Sequence, residues 1–262
     1  MVFGPDLVKN VLHLVDLVDN IEIVLFHSPD LDNLPEHREL CQIKKLAEQK
    51  NITFTVHLPT TLEFAAENPK RRQRSVQLAI DICHQTSLLN PLYYILHIPF
   101  TRPTLVPVPG QYFKSLDPRI GADWIGRAHA SLETFNASLS GSGKLLVENI
   151  NYAPSFLETF LEKNLCELCL DLGHLLLGQE DVIDCLLQYL PVTREIHLHG
   201  VKGYLDHFSV ALLPGDLVRE GLRCLKGHCF SGLLNLEVFS PRDLASSLDC
   251  IRKSLLVLQA HF

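Results

Sequence analysis

KLLVENINYAPSFLETFLEKNLCELCLDLGH, residues 144–174, holds one complete repeat of the pattern that decides the fold. Two short, nearly continuous apolar runs, KLLVENI (144–150) and CELCLDL (166–172), flank a segment at 154–163 whose apolar residues recur with helical spacing. Strand, helix, strand at this spacing predicts a βα unit of a parallel sheet. The alternation continues outward on both sides. Toward the N-terminus lie LYYILHI (92–98), ITFTVH (52–57) and IEIVLF (21–26), and toward the C-terminus EIHLH (195–199) and LLNLEVF (233–239). Helical periodicity fills the intervals at 36–49, 70–85, 120–138, 179–189, 215–226 and 241–258. That makes seven strands, preceded by a helix-like PDLVKNVLHLVDLVDN (5–20) with no strand of its own. A (β/α)8 barrel needs eight strands, each followed by a helix. The expected architecture is therefore α/β, a TIM-type (β/α)8 barrel with its first strand missing from the chain, as one domain over residues 1–262. A doubly wound open sheet competes, but no Gly-rich fingerprint follows an early strand. GSGK (141–144) precedes a strand instead of opening a helix, so it is not a phosphate loop.

The composition is ordinary for a folded domain, with 47% hydrophobic and 20% charged residues. The net charge of −7 argues against a polyanion as the main partner. No apolar run approaches the roughly 18 residues of a membrane span, and the N-terminus lacks a secretory pattern. A cytoplasmic location is expected. The eight cysteines, scattered through apolar segments, read as reduced core residues. Cys166 and Cys169 form a CxxC on a strand, where that spacing puts them on opposite faces, so a redox or zinc pair is not expected.

In parallel α/β folds the chemistry collects at the carboxyl ends of the strands. Those ends carry, in order, His57, His97, Glu148, Asp171 with His174 just beyond, the pair His197 and His199, Asp206–His207 in the following loop, and Glu237. Branched apolar residues would pack a barrel better, and buried carboxylates need partners. Imidazoles and carboxylates together are the donors of zinc, manganese or iron sites. The set exceeds one tetrahedral ion, so two or three divalent ions per chain are expected, zinc first. In HLH (197–199) one imidazole would be a ligand and the other a supporting or substrate-contacting group. The Pro-rich stretch 99–118, with Phe100, Tyr112 and Phe113, reads as a binding loop for a bulky, partly apolar substrate or as a surface loop. Arg71, Arg72 and Arg74 could meet a phosphate, although a solvated helix face explains them better.

The ordered series His57, His97, Glu148, Asp171–His174, His199, His207, Glu237 resembles the xylose-isomerase-like barrels, which include endonuclease IV-type AP endonucleases and sugar epimerases. That resemblance implies one ion on His57, His97 and Glu148. A second would lie on Glu148, Asp171, His199 and Glu237, and a third on His174 and His207. The third site departs from the pattern, since Leu205 stands where an Asp belongs and Asp206 is adjacent. DNIEIVLFHSPDLDNLPEH (19–37), ITFTVHLPT (52–60), RRQRSV (71–76) and YYILHIPF (93–100) look like the cobamide-remodelling phosphodiesterases of the same superfamily. The resemblance implies a metal-dependent hydrolase that opens the nucleotide loop of a cobamide, with Glu148, His197 and Glu237 as catalytic groups. A sugar (phosphate) isomerase or epimerase is the alternative. An AP endonuclease-like repair enzyme or an inactive binding module comes after it. The expected partner is a small molecule, a corrinoid or a sugar phosphate, with neither nucleic acid nor membrane.

Overall fold

A computed structural model describes residues 4–100, 112–114, 118–139 and 144–260. Its strands are β1 (Asn20–Val24), β2 (Thr53–His57), β3 (Tyr93–Leu96), β4 (Lys144–Glu148), β5 (Glu167–Asp171), β6 (Thr193–Leu198), β7 (Gly200–Lys202), β8 (Leu205–Phe208) and β9 (Leu233–Leu236). The helices are α1 (Leu7–Leu14), α2 (His37–Lys50), α3 (Pro69–Thr86), α4 (Pro118–Ser138), α5 (Glu158–Glu162), α6 (Leu172–Leu177), α7 (Val182–Tyr189), α8 (Leu217–Gly227) and α9 (Pro241–Ala260). Seven strands form one parallel sheet in the order β1-β2-β3-β4-β5-β6-β9, while β7 and β8 make a separate antiparallel hairpin. The sheet curls into a nearly closed TIM-type barrel in which β1 and β9 are the two ends.

Local chemistry sets the helix boundaries. Asn68 caps α3 by accepting from Lys70 N–H at 2.9 Å, and Pro69 occupies the first turn, where its missing N–H is harmless. At α2 the Glu36 N–H donates to Glu39 Oε2 at 2.8 Å, completing a capping box, and Asn51 ends the helix in the left-handed region at φ 55°. Three helical expectations need correction. The opening helix stops at Leu14, because residues 20–24 are drawn into β1. The 154–163 segment starts as a 3-10 turn at Pro154–Leu157 and has only one α-helical turn and a half, in α5. The segment 179–189 becomes helical at Val182, where Asp181 caps it, while an unexpected short α6 directly follows β5.

The core has two compartments. The large one lies between sheet and helices, built from residues such as Val11, Ile23, Phe54, Ile80, Phe135 and Leu186. Each fully buried side chain of this kind contributes about 1.5–3 kcal/mol. The small one, Ile95, Leu146 and Cys169, is separate and plugs the barrel interior. Cys166 packs in the outer compartment and Cys169 in the inner one, on opposite faces as the alternation requires. All eight cysteines are free, although Cys41 and Cys229 are exposed and do not belong to the core.

The aromatics of the 99–118 stretch turn out to be structural. Phe100 and Phe113 are buried edge to face, ring centroids 4.9 Å apart, and Phe100 also meets Trp124 and Phe156 at 5.6 Å each. Such pairs add about 0.5–1.5 kcal/mol beyond area burial. They cannot also face a substrate. Residues 101–111 and 115–117, like 140–143 of the GSGK stretch, lie outside the described residues. Arg71 pairs with Glu63 at 3.4 Å, and Arg72 donates to the carbonyls of Ala66 and Glu67, so the basic run braces the preceding turn. Among the described residues no helix is long and apolar enough to cross a membrane.

Candidate metal centre

In-register neighbours of a parallel sheet share a face. Glu22 is level with Thr55, Glu148 with Cys169, Cys169 with Glu195, and Asp171 with His197. These side chains all point into the barrel. At its carboxyl end they meet His57, His97, His174, His199, His207 and Glu237, so every metal-ligand candidate expected from the sequence reaches the same end of the barrel. Glu148, Asp171, His197 and His199 are almost wholly buried.

The carboxylate of Glu148 is the hub. Its Oε2 lies 3.2 Å from His57 Nε2, 3.0 Å from His97 Nε2 and 3.4 Å from His197 Nδ1, while His174 Nδ1 is 3.4 Å from Oε1. His57 and His97 approach each other at 3.2 Å between Nε2 atoms. The Nδ1–H of His57 donates to Leu58 O at 2.9 Å, which turns Nε2 toward Glu148. One ligand atom each from Glu148, Asp171, His197 and Glu237 forms a second group, with all four within 4.8 Å of one another. Asp171 divides its oxygens. Oδ1 caps α6 through His174 N–H at 2.7 Å, and Oδ2 faces the site. Asn149 fixes that residue by accepting from Asp171 N–H at 2.8 Å and donating to Asp171 O at 3.0 Å.

The two imidazoles of β6 and its end have different work. Nε2–H of His197 donates to Glu22 Oε2 at 3.1 Å, so Nδ1 is the nitrogen turned to Glu148 and to Glu237 Oε2 at 3.1 Å. Both nitrogens of His199 are engaged. Nδ1 accepts from His207 N–H at 3.2 Å and Nε2–H donates to Asp171 Oδ2 at 3.0 Å. His199 thus lies against Asp171 and belongs to the groups Asp171–His174–His199 and His199–His207–Glu237, while His197 joins the Glu148–Asp171–Glu237 group. Gly173 makes this possible, because a Cβ there would lie 2.0 Å from the His199 ring.

Asp206, off-register in sequence, still reaches its neighbours. Oδ1 contacts His207 Nδ1 at 2.7 Å, and Oδ2 lies 3.8 Å from His174 Nε2. His207 has φ 60°, which breaks the alternation of β8 and lets two consecutive side chains face the same cavity. His207 Nε2 is 3.2 Å from Glu237 Oε1, and its ring stacks on Phe239 at 4.4 Å. The hairpin β7–β8, expected as a loop, carries all this.

Charge balance follows from the same contacts. Burial opposes ionisation of Glu148 and Glu237, but His97 and His197 outweigh it at Glu148, and His197 and His207 at Glu237, holding both carboxyls well below the usual range. Burial likewise opposes a charge on His57, His174 and His207, yet the surrounding carboxylates raise them to about 9, 10 and 10. Burial pushes the Glu195 carboxyl up to about 7. Sequence reading missed Glu22 and Glu195. The signal was present, since each sits mid-strand at an alternate position, in IEIVLF and two residues before His197.

These donors fit a divalent cation. His197 Nδ1 and Glu237 Oε2 are buried without a hydrogen-bond partner among the described residues, although they lie 3.1 Å apart. A shared positive ion would satisfy both.

No family model matches the chain, and no curated protein matches it. Solved structures do. A D-tagatose 3-epimerase-like protein superposes with TM-score 0.75 at 17% identity, covering 93% of this chain and 90% of that one. The chain shares the TIM-type barrel fold of these structures. The 3-keto-D-glucoside 4-epimerase YcjR of E. coli gives TM-score 0.71 at 11% identity, over 99% and 97% of the two chains. Endonuclease IV from Thermus thermophilus gives 0.65 at 18%, over 95% and 93%.

Proposed function

We propose that this xylose-isomerase-like barrel is a divalent-metal-dependent isomerase or epimerase of a small sugar, with its ion on Glu148, Asp171, His197 and Glu237. The observation that carries the reading is the placement of two glutamates around one imidazole. Glu148 Oε2 and Glu237 Oε2 lie 3.4 and 3.1 Å from His197 Nδ1, on strands β4 and just past β9. Structures of this fold named for epimerising tagatose, psicose and 3-keto-glucosides support it.

When bound, the ion polarises the substrate carbonyl and stabilises negative charge on its oxygen. Glu148 would remove the proton from the carbon beside the carbonyl, and Glu237, supplied with a proton by the His207 imidazolium 3.2 Å away, would return one to the opposite face, with exchange to solvent restoring both groups. Glu22 holds His197 in the tautomer that leaves Nδ1 open, and His199 and Asn149 keep Asp171 in place. Three carboxylates and one imidazole make a hard donor set, which suits manganese better than the zinc expected first.

A second reading, phosphodiester hydrolysis, rests on the histidines outside that quartet. His57 and His97 converge on Glu148, and His174 and His207 converge on Asp206, which would provide two further nitrogen-rich sites. Cobamide remodelling belongs here. Exposed Tyr204 and Leu205 at the hairpin, with Phe239 at the mouth, would suit a bulky, partly apolar substrate. The sequence ranks hydrolysis first; the single-ion quartet and the similar structures move it to second.

The metal-loaded protein incubated with a ketose panel in D2O should incorporate deuterium beside the carbonyl, read by NMR. Loading of two or three ions, with no exchange but hydrolysis of bis-p-nitrophenyl phosphate or of a cobamide, would replace the first reading by the second.

A further inference from the structure

Among the described residues Cys169 is the one thiol inside the barrel; the other cysteines pack outside it or are exposed. Ile95 and Leu146 are level with each other, and Cys169 lies two residues higher, level with Glu148 on β4 and with Glu195 on β6. It thus sits where the apolar plug ends and the acids begin. A small apolar side chain would complete the plug equally well. A thiol adds a soft donor.

Its neighbours supply the rest of a ligand set. One ligand atom each of Cys169, Glu148 and His197 lie within 4.8 Å of one another, and all three side chains are buried. Glu22 holds His197 Nε2, so Nδ1 is the nitrogen available, and it is buried without a hydrogen-bond partner among the described residues. Nδ1 lies 3.4 Å from Glu148 Oε2. In a tetrahedral site with metal–nitrogen and metal–oxygen bonds of about 2.0–2.1 Å, neighbouring donors are about 3.3–3.4 Å apart, and a sulfur at about 2.3 Å lies slightly farther. The nitrogen–oxygen edge of such a site is already formed, and the thiol is within reach of it.

We propose that Cys169, His197 and Glu148 form a second, thiolate site that takes soft divalent ions, zinc and cadmium, in competition with a hard ion on the quartet. Asp171 and Glu237 of the quartet give way here to one sulfur, which softens the donor set. His197 Nδ1 binds one ion at a time, so the two positions exclude each other. Binding releases the thiol proton to solvent. The competition, though not the thiolate site itself, rests on the quartet being the working position of the ion. Soft ions then inhibit the epimerisation that manganese supports.

Other thiols must be silenced first, since Cys41 Sγ lies 3.5 Å from His37 Nε2 and Cys224 Sγ 3.9 Å from His228 Nδ1. The full chain carrying Cys41→Ser, Cys224→Ser and Cys229→Ser is therefore the parent for the test. Cadmium titrated into it without other metal should give a saturable ultraviolet thiolate-to-cadmium charge-transfer band, and Cys169→Ser or Cys169→Ala should abolish that band. Cadmium should also release bound manganese, followed by electron paramagnetic resonance, and either Cys169 variant should need about tenfold or more cadmium for the same release. Circular dichroism reports whether the variants fold. If neither does, the cadmium NMR resonance of the parent decides, because sulfur ligation moves it far from the position of oxygen and nitrogen sites. The proposal is overturned by a missing band at saturating cadmium, by a band that survives both Cys169 substitutions, or by a resonance typical of oxygen and nitrogen ligands alone. Manganese release equally easy in parent and variants overturns the competition. A Cys169-dependent band in a protein that exchanges no ketose deuterium keeps the thiolate site and removes the epimerase; exchange without the band does the reverse.

Discussion

Glu22 lies outside the proposed quartet, yet its carboxylate decides which nitrogen of His197 faces that group. Its Oε2 holds Nε2–H at 3.1 Å, so Nδ1 is left for the quartet. Glu22→Gln weakens that carboxylate–imidazole pair, and loss of such a support reduces metal affinity by about 10–100-fold. Bound metal after dialysis, measured by plasma mass spectrometry, reads it. Retention equal to the parent protein would remove the positioning role. A proton account belongs at the same scale. His57, His174 and His207 are raised to about 9, 10 and 10, above the ordinary 6.5, so the metal-free folded chain holds protons that the unfolded chain releases. Their stabilisation is therefore complete below about pH 6.5 and is lost as pH rises through 9 to 10. Cations compete with those protons, so metal uptake should release acid in weakly buffered solution and tighten as pH rises from about 6 to 9. Uptake independent of pH would show that these imidazoles take no part.

The β5–α6 junction shows how an element builds the site. Asp171 ends a strand, caps the next helix and presents one oxygen inward, all within the stretch LDLGH. Gly173 allows the His199 ring to lie against the first turn of α6. Gly173→Ala would put a Cβ 2.0 Å from His199 Cε1, so the ring or the helix must move. Activity and metal retention should both fall, with the helical circular dichroism unchanged. A fully active variant would mean that His199 is dispensable for holding Asp171. The hairpin β7–β8 makes the complementary point. Leu205-Asp206-His207 does not fit the expected ligand spacing, but the left-handed φ of His207 repairs it. Backbone conformation at one residue decides this, and no count of positions along the chain anticipates it.

At the scale of the molecule, the barrel concentrates acids in its interior. Glu22, Glu148, Asp171, Glu195 and Glu237 are all buried, and among the described residues the apolar plug is small, Ile95, Leu146 and Cys169 with Tyr93 against them. Burying so many acids is unfavourable without cations or protons to accompany them. Metal that binds only the folded chain should add about 2.7 kcal/mol at a concentration of 100 times its Kd. Manganese or zinc should thus raise the melting temperature, and EDTA should reverse the shift; a melting curve insensitive to both would sink the metal centre. The same reasoning covers the cysteines. Burial raises the thiols of Cys83, Cys166 and Cys169, so at pH 8 iodoacetamide should label exposed Cys41 and Cys229 first.

Most of the architecture was legible in sequence because its signal is local. Alternating apolar runs and amphipathic segments mark βα units, and the strand ends in ILHIP, VEN, DLGH and HLH carry residues that a barrel core has no use for. The convergence of those residues was inferable from strand order alone. Which acids each imidazole of HLH faces was not, since it depends on Glu22 from a strand 175 residues away and on the amide of His207. Nor was the burial of Phe100 and Phe113, whose partners lie on α4 and in the turn after β4. Periodicity is set by neighbours within a few residues, whereas tautomers, orphaned atoms and the opening between β1 and β9 are set by groups that only the folded chain brings together.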